Sequence, residues 1–226
     1  MSHAVCIGAH PDDVEIGMGG TVAAMAADGW NVTILDLTDG EPTPRGTHET
    51  RMAEAARAAD TLGVTRITLD LPNRCLFDTI EARTLVAEVL RELRPDRVFA
   101  PFAVDAHPDH VAASAIADGA RFWAKLTKTD MKGEPFFPPR LYRYMAVHLR
   151  LVREPAFVFD ISEQLATKLE ALRCYDSQFG SDTLNHGLIE EVSATARTWG
   201  RHIGAGAGEP FFTLEPIGLR DLSALT

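Results

Sequence analysis

Cysteine is scarce in this chain: Cys6, Cys75 and Cys174 are odd in number, widely spaced and form no C-x-x-C pair. That argues against a disulfide framework and favours a reducing, cytoplasmic setting. No apolar run reaches the ~18 residues of a membrane helix, and Met1-Ser2-His3 leads into a strand-like segment without a basic leader region. Cations are in the minority, with 22 Lys and Arg against 32 Asp and Glu and a formal net charge of -10. A nucleic-acid groove or a face for anionic membranes would need clustered Lys and Arg, so small-molecule partners are expected. Repeats and low-complexity tracts are missing too. What is present is 226 residues, 46% hydrophobic and 24% charged, which fits one well-buried globular domain.

The apolar pattern alternates between strand and helix periods. Strands are expected over Ala4–Gly8, Asn31–Leu37, Ile67–Leu71 and Arg97–Pro101, and helices over Gly19–Gly29, Glu49–Leu62, Thr79–Leu93 and Val111–Ala124. Gly63 is placed to stop the second helix, and Asp39–Thr47, with two prolines and two glycines, is a loop. Such alternation implies right-handed crossovers and an α/β, three-layer Rossmann-like fold with a mostly parallel twisted sheet. Ligands then bind beyond the carboxyl ends of the strands. Residues 1–125 make up this core. From Met131 the pattern changes, with strands expected over Leu141–Val147 and Ala156–Ile161, a helix Glu163–Tyr175 capped by Ser162, and a helix Glu190–Ile203. Residues 126–226 are expected to complete and cover the site rather than fold alone, so the whole chain, 1–226, reads as one domain.

Two clusters fall where that rule places a site. His10-Pro11-Asp12-Asp13 follows the first strand, and His107-Pro108-Asp109-His110 follows the fourth and opens a helix. If strands one and four are neighbours, as in a 3-2-1-4 order, the two loops meet. Imidazole and carboxylate ligands suit zinc, and a catalytic zinc site takes three protein ligands with a fourth position left to water. The first cluster can supply a His and an Asp, and the second another His. Two carboxylates and one imidazole remain for proton handling, a surplus of use to a hydrolase. The same ligand types accept Fe2+ and other first-row ions.

Other features have blander readings. Gly17-Met18-Gly19-Gly20 departs from G-x-G-x-x-G, and Asp12, Asp13 and Glu15 would repel a pyrophosphate, so close helix packing is the expected role of these glycines. Asp36 and Asp39 read as capping or loop residues, and Arg51 with Glu54 as either an exposed helix pair or a substrate contact. His3, His48, His148, His186 and His202 have no ligand-like neighbours in sequence and read as surface or core histidines.

Over nearly its whole length the chain resembles the LmbE-like or PIG-L deacetylases, zinc enzymes that remove acetyl groups from N-acetylglucosamine-containing substrates. The resemblance rests on the run from Ala9 to Gly20, on Asp36-Leu37-Thr38, on Arg51-x-x-Glu54, on His107 to His110 and on Tyr175-Asp176-Ser177-Gln178. The ending, Gly208-Glu209-Pro210-Phe211 through Glu215-Pro216-Ile217, is similar to the bacillithiol-biosynthesis branch, which deacetylates N-acetylglucosaminyl-malate. The resemblance implies that His10, Asp13 and His110 hold one Zn2+ per chain, that Asp12 is the general base, and that His107, oriented by Asp109, stabilises the oxyanion. It matches Arg51 to a substrate-contacting arginine and implies a homo-oligomer, a trimer or hexamer. The chain departs from relatives at Ala207 and Leu188, where some carry tyrosines. A malate conjugate is dianionic, so local arginines must attract it: Arg51 first, then Arg74 and Arg140, since a guanidinium suits a carboxylate. The alternatives are a deacetylase of another N-acetylglucosamine derivative or small amide, and a non-catalytic Rossmann-like sugar- or nucleotide-binding module.

Overall fold

The computed structural model describes residues 1–146, 148 and 153–219. Strand β1 (His3–Gly8) lies in the interior of the sheet and alternates strictly: Ala4 and Cys6 enter one core, Val5 and Ile7 the other. Both faces are apolar because both are covered, as a parallel sheet requires. Helices α1 (Asp13–Ala27), α2 (His48–Leu62) and α5 (Leu165–Arg173) supply the first core, and α3 (Ile80–Leu93) and α4 (Pro108–Trp123) the second.

The remaining strands are β2 (Asn31–Asp36), β3 (Thr65–Thr68), β4 (Arg97–Pro101), β5 (Leu141–Tyr144), β6 (Phe157–Asp160) and β7 (Gly208–Phe212). Their order is β3-β2-β1-β4-β5-β7-β6. Strands β1 to β5 run parallel, and β7 runs antiparallel to both β5 and β6. The α/β architecture with a mostly parallel sheet is the expected one, and β4 lies directly beside β1 with Cys6 opposite Phe99.

Several boundaries differ from the sequence reading for identifiable reasons. Helix α1 begins at Asp13, not Gly19, and continues through a kink at Met18, whose φ of -151° is not helical. The glycines allow this because backbone and neighbours touch: a Cβ on Gly17 would strike the Tyr144 ring, and one on Gly20 would lie 2.7 Å from Ile161. Strand β3 starts two residues earlier than Ile67, where Thr65 pairs with Thr33, and stops at Thr68 before Pro72 turns the chain. The fifth strand ends at Tyr144, and Val147 lies outside the described residues. Ser162 does not cap α5. Its hydroxyl instead donates to Asp160 and accepts from the amides of Gly206 and Ala207, joining the end of β6 to the approach of β7.

Short helix α6 (Asp176–Phe179) and strand β7 had no counterpart in the sequence reading, and α7 spans Leu188–His202. Pro210 in β7 obscured the strand, since proline gives no N–H to a ladder. It is tolerated here opposite Val158, beyond the two residues that pair with β5. Among the described residues no helix is long and apolar enough to cross a membrane.

Candidate metal and catalytic site

Both clusters sit past the carboxyl ends of adjacent strands, and they meet. His10 and Asp13 flank the turn from β1 into α1, and His110 lies in the first turn of α4. Asp13 joins the loops: its Oδ2 accepts from the His10 amide at 2.9 Å, and its Oδ1 lies 3.1 Å from Nε2 of His110. One ligand atom from each of His10, Asp13 and His110 can be chosen so that all lie within 4.8 Å of one another.

Electrostatics favours an ion among them. Burial opposes charge on the two imidazoles, yet hydrogen bonds to Asp109 and Asp13 raise His10 to about 10, and Asp13 with Asp105 raises His110 to about 9. Burial also opposes ionisation of Asp13, but His110 and His10 hold its carboxyl well below the usual range. Two imidazolium protons therefore compensate a buried carboxylate at the place where a divalent cation would do so. Metal ligands must be deprotonated, so binding would release those protons. Two imidazoles and a carboxylate, converging and nearly buried, fit a divalent metal.

The carboxylate of Asp109 does not orient His107, as the sequence reading had it. It meets Nε2 of His10 at 3.2 Å and accepts from the amides of Arg74 and Leu76. Only its backbone amide reaches His107, donating to Nδ1 at 3.2 Å as part of the α4 N-terminus. Burial, followed by the neighbouring His10 and His110, lowers the His107 pKa. A neutral His107 whose Nδ1 accepts a hydrogen bond carries its proton on Nε2, so it is a donor without being protonated.

Asp12 is the N-cap of α1 and has φ of 110°, a left-handed conformation rare outside glycine. Such strain persists where the surroundings enforce it, often at functional positions. Here Arg51 does so, its Nη2 donating to Asp12 Oδ2 at 2.9 Å and to the Pro11 carbonyl. Burial pushes the Asp12 carboxyl up to about 6 against the opposing pull of Arg51.

A cavity of about 350 Å³ opens on these groups, with Asn73, Arg74, Thr43 and Gln178 on its polar wall and Ile16, Ala146, Phe179 and Leu188 among its apolar lining. Arg51 is buried against it, and among the described residues its Nε and Nη1 have no hydrogen-bond partner. Arg74 lines the cavity. Arg140 does not: it precedes β5 at the opposite end of the sheet, with its carbonyl bonded to Val98 and its guanidinium to the Pro139 carbonyl.

Sequence reasoning missed several residues. His148 lines the cavity, its ring centroid 5.5 Å from His107 and 5.3 Å from His110. Asp105 binds Nδ1 of His110 at 2.6 Å. Beneath the metal loop Arg66 pairs with Glu15 at 2.8 Å and Asp36 at 2.6 Å, and the Tyr175 hydroxyl donates to Glu15 at 2.7 Å. Glu209 accepts from the amides of Gly20 and Thr21, the Thr21 hydroxyl and the Lys168 ammonium, satisfying donors just past the α1 kink. These partners come from distant elements: Glu15, Asp36, Tyr175 and Glu209 belong to motifs quoted from the sequence, but nothing there paired them with Arg66 or Lys168.

Comparison with known proteins agrees with the geometry. Residues 5–120 match the family model PIG-L, described as GlcNAc-PI de-N-acetylase. Diacetylchitobiose deacetylase of Thermococcus kodakarensis is 34% identical over 79% of this chain and 70% of its own length. A 1D-myo-inositol 2-acetamido-2-deoxy-alpha-D-glucopyranoside deacetylase of Thermomonospora curvata is 30% identical over 67% of this chain and 63% of its own. The crystal structure of a conserved protein of Thermus thermophilus superposes with a TM-score of 0.91 at 39% identity, covering 99% of each chain.

Proposed function

Since the chain belongs to the PIG-L family of de-N-acetylases, we propose that it is a metal-dependent amide hydrolase that removes the acetyl group from an N-acetylglucosamine conjugate. The observation that carries this reading is the convergence of His10, Asp13 and His110 beside an independently held carboxylate, Asp12, at the mouth of a partly polar cavity.

His10, Asp13 and His110 would hold the ion, which would supply Lewis-acid polarisation of the acetyl carbonyl and make water a competent nucleophile. Asp12 accepts the proton as water attacks and delivers it to the departing nitrogen. Arg51 keeps that carboxylate aimed into the cavity and has two further N–H groups for substrate oxygens. His107 donates from Nε2 to the carbonyl oxygen as charge develops there, an effect worth about 3 kcal/mol for one well-placed donor. His10 is steadied in turn by Asp109.

The finer reading is N-acetylglucosaminyl-malate as substrate, zinc as the ion, a cytoplasmic location and a trimeric or hexameric assembly. Arg51 and Arg74 at the cavity support a carboxylate-bearing conjugate. The two curated relatives carry the names of other N-acetylglucosaminides, so the substrate panel must include those as well. Amine release is to be measured from N-acetylglucosamine, diacetylchitobiose, an N-acetylglucosaminyl-inositol and N-acetylglucosaminyl-malate, each with and without a chelator. Chelator-sensitive release from at least one, fastest with the malate conjugate, is expected. No release from any member in the metal-loaded protein would refute the hydrolase reading, and stoichiometric binding without turnover would favour the sugar-binding module.

A further inference from the structure

We propose that Asp105 is a positioning residue of the metal centre, fixing which nitrogen of His110 faces the ion. Asp105 lies in the loop between β4 and α4, and its side chain is fully buried. It is not part of the cavity wall. Both of its oxygens are engaged. Oδ2 meets Nδ1 of His110 at 2.6 Å, while Oδ1 accepts from the amides of His148 at 2.9 Å and His107 at 3.3 Å. One carboxylate thus ties a ligand ring to the backbone of two other histidines, on the loop before α4 and on the segment after β5.

The consequence for His110 is chemical. An ion can bind only a nitrogen with a free lone pair, so the proton of a metal-bound neutral imidazole must sit on the other nitrogen. A carboxylate on Nδ1 holds the proton there, leaves Nε2 free beside Asp13 Oδ1, and increases the basicity of the ring as a ligand. The mirror arrangement holds at His10, where Asp109 occupies Nε2 and leaves Nδ1 3.5 Å from Asp13 Oδ2. The two histidines would therefore present opposite nitrogens to the ion, His10 through Nδ1 and His110 through Nε2. Asp105 contributes no atom to the cavity, and its effect on the ion passes through the His110 ring, so metal affinity isolates that route from its backbone contacts to His107 and His148.

The inference rests on the metal site of the proposed function, and its test separates the two. Zinc affinity of the metal-free protein is titrated against a chromophoric chelator for wild type, Asp105→Asn and Asp105→Ala. The ring N–H signals of the zinc-loaded, 15N-labelled proteins are recorded alongside. Asp105→Ala is expected to weaken zinc roughly 10- to 100-fold, the range for loss of such a partner, and to lose the hydrogen-bonded Nδ1–H signal of His110. Asp105→Asn keeps the shape and an acceptor but not the charge, and is expected to fall between. A Kd for Asp105→Asn and Asp105→Ala within twofold of wild type, with the ring signal unchanged, overturns the assignment. A lower Tm of the metal-free variants with unaltered Kd overturns it equally, because that is the mark of a purely structural role. Failure of the wild type itself to bind zinc would overturn the metal site and this inference together.

Discussion

Asp12→Asn isolates proton transfer from everything else at the site. The amide has nearly the carboxylate's size, its oxygen can still accept from Arg51 Nη2, and asparagine tolerates positive φ better than most residues, so the 110° turn is retained. Metal binding should survive, because Asp13 and not Asp12 joins His10 and His110. What disappears is a carboxylate that burial raises to about 6, basic enough to serve as a proton acceptor near neutral pH. A positioned general base contributes about 10²- to 10⁴-fold, equivalent to about 3–5 kcal/mol at 1.36 kcal/mol per decade. Initial rates of amine release at saturating metal should therefore show kcat lowered by that factor, with KM changed less than about threefold and bound metal per chain unchanged. The remaining rate would come from carbonyl polarisation and the His107 donor. A kcat within about threefold of wild type would remove Asp12 from the mechanism, and loss of the metal would show that it is a ligand.

Arg51→Ala should raise KM more for the malate conjugate than for N-acetylglucosamine, since the free donors on Arg51 serve a carboxylate; equal increases would argue against that contact. The pH profile of kcat/KM should have an acid limb at or below pH 6, because Asp12 acts only when ionised and a bound cation draws its pKa down from about 6. A limb centred above pH 7, or one that persists in Asp12→Asn, would assign it to another group. Arg66→Ala leaves Glu15 and Asp36 buried without their cation. Breaking such a pair costs about 3–5 kcal/mol, roughly 6–20 °C in Tm for a chain of this size, and a shift below about 3 °C would show that the network contributes little. Gly17→Ala forces a methyl against the buried Tyr144 ring, which is anchored to the Ile7 carbonyl at 2.8 Å. Overpacking of this kind costs about 1–3 kcal/mol, measurable by urea unfolding.

The half of the site that could be read from sequence is the half written in contiguous residues. His10 to Asp13 and His107 to His110 each carry several metal-ligand types within four positions, and the strand periods on either side placed both at carboxyl ends. That the two loops meet depended on strands one and four being neighbours, and the sheet order meets that condition. The supporting residues were not legible because each is defined by a partner far along the chain. Arg66 lies just before the strand expected over Ile67–Leu71 and in no motif, and its partners Glu15 and Asp36 meet it only in the fold. Asp105 belongs to no motif, Asp109 turns away from His107 toward His10, and His148 reaches the cavity from a segment with no motif. Arg140 failed for another reason: it precedes a strand that runs parallel to its neighbour β4, so it falls at the amino end of the sheet, away from the site. In the C-terminal third, Gly208 and Pro210 carried the signs of a turn, while the flanking pairs with Asp160 and Val158 made them strand.

Anomalous diffraction from crystals loaded with zinc, recorded at the metal edge, tests most directly whether two distant loops share one ion. A single strong peak per chain is expected, about 2.0–2.2 Å from a ring nitrogen of His10, a carboxylate oxygen of Asp13 and Nε2 of His110, with the Asp12 carboxylate nearby but unbound. A peak elsewhere, or ligation that omits Asp13 or His110, would contradict it.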